Sequence, residues 1–127
     1  MKNKIGISFR LFGSSVSPKE ITRLTAILPT TALLEGERNA ELNLPRKNLW
    51  TIESTIDSEV FEDHWESLKY LLIKSQEVLR EISATGSATL SIVIDSSYRL
   101  PSITIPPSMS AFASYVNAAI DIDHLQS

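Results

Sequence analysis

Apolar residues alternate along the first segment of the chain. Ile5, Ile7, Phe9 and Leu11 fall on one side, and Gly6, Ser8 and Arg10 on the other. A period of two predicts a strand with one buried face, and Gly13 breaks it. "SPKE" at 17–20 then opens a helix. Ser17 is placed to cap it, Pro18 to take its first position, and Glu20 to complete a capping box. Ile21, Leu24 and Leu28 continue its apolar side up to Pro29. A short strand is expected over 32–34, then a polar loop over 36–48 interrupted by Pro45. "LWTIES" at 49–54 resumes a strand, with Trp50 and Ile52 on one face.

A longer period takes over at 58–82. At about 100° per residue, with Glu59 at zero, Val60, Phe61, Trp65, Leu68, Leu71, Leu72, Val78, Leu79 and Ile82 fall between about 100° and about 240°. That arc predicts one long amphipathic helix with this side toward the core. "ATLSIVID" at 88–95 alternates again, with Ala88, Leu90, Ile92 and Ile94 inward. "SITI" at 102–105 reads as a short strand closed by Pro106 and Pro107. "SMSAFASYVNAA" at 108–119 has Met109, Phe112, Ala113 and Val116 at helical spacing, and "AIDID" at 119–123 closes with a strand.

The resulting order is β-α-β-β-α-β followed by β-α-β. Its first six elements match the ferredoxin-like split motif. The fold class expected is α+β: a ferredoxin-like core with an appended β-α-β. The sheet would be mostly antiparallel, with the helices on one face burying every apolar stripe. No repeat or linker divides the chain, so one domain over 1–127 is expected.

Composition narrows the function classes. The chain has 127 residues, 43% hydrophobic and 21% charged, which is enough to build a core. The formal charge of −3 speaks against a nucleic-acid binder, which usually carries a basic surplus. The charge is uneven: residues 1–47 carry eight basic residues against four acids, and 48–127 carry four against eleven. Such asymmetry bears on partners rather than fold. Having no cysteine, the chain has neither disulfides nor thiolate chemistry. Arg10 interrupts the N-terminal apolar run too early for a signal peptide, and no run approaches a membrane span. A cytoplasmic protein without membrane association is expected.

The most pointed candidate is "TIDSEVFEDHWESLKYLL" at 55–72. It holds Asp57, Glu59, Glu62, Asp63, Glu66 and His64, with no basic residue before Lys69. Acids beside a histidine suggest a metal site or acid–base chemistry. Helical geometry separates them. Glu62, Asp63 and Glu66 lie around Glu59, whereas His64 falls at about 140°, inside the apolar arc. Its neighbours three and four residues away are Val60, Phe61, Ser67 and Leu68, none of them a ligand. A packed histidine with a hydrogen bond is the expectation. Acids in the first turn of a helix are favoured by its dipole, which accounts for Glu59 and Glu62 more readily than for Asp63 and Glu66. The acidic stripe runs on to Tyr70 and Ile73. Charge that steers and an aromatic that anchors have the composition of a contact surface.

Weaker candidates remain. Asp121 and Asp123 share one side of the last strand with His124 on the other, a pattern open to cation binding or acid–base work, but read more readily as the solvated outer face of a terminal strand with Ile120 and Ile122 inside. The four glycines are too scattered for a phosphate-cradling loop, and no G-x-S-x-G elbow occurs. Loop 36–48, with Arg38, Arg46 and Lys47, is long for a hairpin connection. No cofactor or metal is expected.

"LFGSSVSPKEITRLTAILPT" at 11–30, "EGERN" around Gly36, "LWTIEST" at 49–55 and "AAIDID" at 118–123 resemble a widespread group of small bacterial domains of unknown function. In that group a strand ending in Gly is followed by an acidic-capped helix start, a Gly ahead of a variable loop, a Trp-bearing strand, a long amphipathic helix and a closing "ldid" strand. Glu35 departs from the group, where a basic residue commonly precedes this Gly. The resemblance implies an α+β domain and carries over no established catalytic residues. Members of such families often occur beside toxin genes, which implies an immunity protein.

The expected function is therefore non-enzymatic binding. The partner expected is a cognate protein toxin with a basic surface, such as a nuclease of a toxin–antitoxin or contact-dependent growth inhibition system. Glu59, Glu62, Asp63, Glu66, Tyr70 and Ile73 are the expected contact. The alternatives are a small-molecule sensor with a pocket between the sheet and loop 36–48, and an enzyme using Asp121, Asp123 and a histidine.

Overall fold

The computed structural model describes residues 4–36, 47–96 and 102–125. In chain order the elements are β1 (Lys4–Phe12), α1 (Pro18–Thr25), β2 (Thr31–Leu33), β3 (Leu49–Glu53), α2 (Phe61–Lys74), α3 (Gln76–Ser83), β4 (Ser87–Asp95), α4 (Pro107–Tyr115) and β5 (Ala118–Leu125). The fold is α+β. Its five strands form one open sheet in the order β2-β3-β1-β4-β5. Every neighbouring pair is antiparallel except β4 and β5, which are parallel.

The core follows from the alternation of the two long strands. Ile5, Ile7, Phe9 and Leu11 of β1 stand opposite Ile94, Ile92, Leu90 and Ala88 of β4, and all eight are buried. Trp50 stands opposite Leu11 and extends the same face into β3. Each helix sends side chains into this one cluster: Ile21 from α1, Phe61, Trp65, Leu68 and Leu72 from α2, Leu79 and Ile82 from α3, and Met109, Phe112 and Ala113 from α4. Phe112 sits between Phe9 and Trp65, with ring centroids 5.5 and 5.9 Å away. The buried indoles keep their polar ends satisfied. Trp65 Nε1 donates to Ser108 Oγ at 2.9 Å, and Trp50 Nε1 to Thr22 Oγ1 at 3.1 Å.

Helix α1 starts as expected but stops earlier. Ser17 Oγ accepts the Glu20 N–H, yet the Glu20 carboxylate turns to Arg23 instead of back to the cap. That hydrogen bond holds the Glu20 carboxyl below its ordinary range. The helix ends at Thr25, whose hydroxyl donates to the Ile21 carbonyl and accepts the Ile27 N–H. Ala26 takes the left-handed conformation at φ 58°. This reversal sends Ile27 into the core and leaves Leu28 81% exposed, while Leu24, within the helix, is exposed as well. The position favours glycine, which adopts such an angle without a Cβ penalty. Ala26→Gly is expected to stabilise the protein by about 1 kcal/mol and raise Tm by about 4 °C in thermal unfolding.

The region expected as one helix over 58–82 is two. α2 ends at Lys74, and Ser75 interrupts the ladder: its N–H reaches the Leu72 carbonyl and its hydroxyl donates to the Thr25 carbonyl at the end of α1. The buried arc of α2 is also narrower than expected. Phe61, His64, Trp65, Leu68 and Leu72 are buried, whereas Val60 and Leu71, at its low-angle margin, are exposed.

"SITI" at 102–105 forms no strand. Ile103 and Ile105 instead pack half-buried against the core from an irregular segment. Prolines on both sides of the segment remove donors that a ladder needs. The C-terminal extension is therefore α-β, not the β-α-β expected. Asn117, left-handed at φ 58°, turns α4 directly into β5. Ile120 is half-buried, but Ile122, expected inside, is 51% exposed because it lies on the last strand of the sheet.

Candidate functional site

The histidine of the acidic stretch is structural in its contacts. His64 is only 1% exposed. Its Nε2 lies 2.8 Å from the Ser58 carbonyl, which can only accept, so Nε2 carries the proton. In the neutral imidazole Nδ1 then accepts from Ser54 Oγ at 2.8 Å, and Ser54 Oγ accepts the Ile7 N–H at 3.0 Å. The network joins β1, the β3–α2 connection and α2. Glu62 and Asp63 take no part in the histidine's hydrogen bonds.

The carboxylates lie outside. Glu59, Glu62, Asp63 and Glu66 are exposed, as is Tyr70 by 75%. Asp63 also holds the start of the helix, accepting from Ser58 Oγ at 2.7 Å while that oxygen accepts the Val60 N–H. Glu66 pairs with Lys69 at 3.4 Å, and Lys69 Nζ stands 5.7 Å from the centre of the Tyr70 ring. Ile73, expected at the end of the stripe, is half-buried at the margin of the core. Val60 and Leu71 are exposed instead, at the margin of the apolar arc to one side of the acids. Their positions near the edge of the predicted arc were the signal for them. α2 thus presents acids near its start and an aromatic and an aliphatic residue further on. That face can attract and seat a basic surface.

Among the described residues, hollows flank the sheet. One, of about 400 Å³, opens on the face away from the helices, lined by Lys4, Ser8, Glu53, Ser54, Val93 and Asp95 around Gly6. Gly6 lies mid-strand, and a Cβ there would meet only Ser54 Oγ, at 3.8 Å. No close contact forces glycine at this position, and the missing side chain helps to form the hollow. Another, of about 450 Å³, lies between α1 and β2, lined by Ser17, Pro18, Lys19, Thr22, Ala32 and Leu34.

Asp121 and Asp123 are exposed on the sheet's outer face, with His124 on the other side of the strand. Among the described residues no three His, Asp or Glu side chains gather into a metal-binding group. No described helix is long and apolar enough to cross a membrane. Of the loop 36–48, positions 37–46 with Arg38 and Arg46 lie outside the described residues. Its ends are tied by Asn48, whose Oδ1 accepts the Glu35 N–H and whose Nδ2 donates to the Ser14 carbonyl.

No curated protein and no solved structure matches the chain at a significant level. A family model, Domain of unknown function (DUF4279), matches residues 3–127, and the chain belongs to that family.

Proposed function

We propose that this is a non-enzymatic bacterial binding protein that acts in the cytoplasm as an immunity protein, neutralising a cognate toxin by direct contact. The observation that carries the reading is the exposed face of α2, where Glu62, Asp63 and Glu66 lead into Tyr70 and Leu71. A nuclease toxin has a basic substrate cleft, and an acidic helix face complements it in charge. We also read the first four strands, ordered β2-β3-β1-β4 with β1 antiparallel to both neighbours, as a ferredoxin-like core to which α4 and β5 are added. That scaffold holds α2 rigidly against β1.

The test is charge reversal. Glu62→Lys/Asp63→Lys/Glu66→Lys is expected to weaken toxin binding more than about tenfold at low salt, mainly through slower association. Calorimetry and stopped-flow mixing would measure this, with protection of toxin-expressing cells as the second readout. Unchanged affinity and unchanged protection would remove α2 as the contact. The hollow at Gly6 favours a second reading, a small-molecule sensor. A metabolite that raises Tm by mass action in a thermal-shift screen would favour it over the first.

A further inference from the structure

β5 ends the sheet, and among the described residues it pairs only with β4. In a parallel strand one residue turns both its N–H and C=O to the same neighbour, and the next residue turns both away. The Ser96 N–H donates to the Leu125 carbonyl, which fixes the phase. Leu125, Asp123, Asp121 and Ala119 turn their backbone toward β4. Ile120, Ile122 and His124 therefore turn theirs outward along the edge.

The two edges of the sheet differ. β2 is three residues long, and short edge strands resist pairing. β5 is eight residues long, its register with β4 runs without a bulge from Ala118 to Leu125, and it contains no proline. Ile122 and Leu125 are 51% and 49% exposed. We propose that the β5 edge is a strand-addition site for an extended partner segment that alternates apolar and basic residues. An added strand would set its apolar side chains beside Ile120 and Ile122 and its basic ones beside Asp121 and Asp123. Asp95, on the same face of β4 opposite Leu125, adds a third carboxylate. A second copy of the chain is disfavoured as the occupant. Antiparallel pairing centred on Ile122 would put Asp121 of each copy opposite Asp123 of the other, and like charges directly opposite destabilise a pair. The site is separate from α2 and does not depend on the partner being a toxin.

The experiment uses the full chain and a fluorescein-labelled peptide of alternating Lys and Val, with anisotropy as the readout and amide exchange to locate binding. Binding is expected to protect the amides of Ile120, Ile122 and His124. Ile122→Pro removes one outward N–H and no bond to β4, and is expected to weaken binding about tenfold. The same peptide, N-methylated on every backbone amide, keeps its charge but has no N–H to donate along either edge, and is expected not to bind. This arm is decisive even if the proline variant folds poorly. Asp121→Lys/Asp123→Lys is also expected to abolish binding, whereas reversing Glu62, Asp63 and Glu66 on α2 is expected to leave it unchanged. Equal binding of the methylated peptide would show simple charge attraction and overturn strand addition. A wild-type dimer in sedimentation that Ile122→Pro dissociates would identify a second copy as the occupant and overturn the basic-partner assignment.

Discussion

Gly86→Ala is expected to cost about 3 kcal/mol or more, a large share of the stability of a domain this size. A Cβ at Gly86 would stand 2.5 Å from the Phe12 carbonyl oxygen, 2.7 Å from the Gly13 carbonyl carbon and 2.7 Å from the Ser14 nitrogen. All three are backbone atoms, so no side chain can rotate away. Relief requires separating two chain segments held together on both sides. The Ser15 N–H donates to Thr85 Oγ1 at 3.0 Å, and the Phe12–Ser87 pair closes the β1–β4 register next to it. Urea unfolding would show the midpoint lowered by about 1–2 M at unchanged slope. Gly13→Ala is the control. At φ 71° it strains one residue, but its Cβ would meet only the flexible Lys47 side chain at 3.3 Å, so its cost is expected to be about 1 kcal/mol. If the two variants were equally stable, close approach at Gly86 would not be what holds this corner.

The contrast between those glycines shows what a one-dimensional pattern can carry. The alternation of β1 and β4 was legible because each strand keeps one face in the core along its length. The same holds for Met109, Phe112 and Ala113 of α4. Gly86 gave no such signal, since its constraint comes from Phe12 and Ser14, more than seventy residues earlier in the chain. The ends of helices were lost for related reasons. Ala26 takes an angle that sequence reasoning assigns to glycine, so the reversal after α1 could not be seen and Leu28 looked internal. Ser75 breaks the long helix through a hydroxyl that reaches Thr25, a contact that exists only after α1 and α2 have packed.

The candidate surface was legible in its charge and less so in its apolar part. Glu62, Asp63 and Glu66 are outward because a 3.6-residue period fixes them relative to Phe61, Trp65 and Leu68. Val60 and Leu71 lie near the boundary of that arc, where packing rather than period decides exposure. For β5 the missing knowledge was topological. An apolar and acidic alternation looks the same in a strand covered by helices and in one at the edge. Only the parallel pairing with β4 shows which backbone groups are left over.

His64→Leu is expected to cost about 3 kcal/mol, although leucine suits the buried position in size. The substitution strands two groups at once: the Ser54 hydroxyl loses its acceptor and the Ser58 carbonyl loses its donor. Ser58 also caps the start of α2 through Val60 and Asp63, so the loss is felt where the acidic face begins. Ser54→Ala removes the acceptor of the Ile7 N–H together with the partner of Nδ1. Because the two variants share one network, Ser54→Ala/His64→Leu is expected to cost less than the sum of the single changes, with a coupling of about 1 kcal/mol in urea unfolding. The same variants separate architecture from chemistry. A histidine that only supports α2 leaves partner affinity intact wherever the variant is still folded, so affinity measured well below Tm should match the wild type. A histidine that acts in the site would abolish function in a protein that remains folded. The direction of the Ser54 hydroxyl and the complete enclosure of the imidazole favour the first outcome.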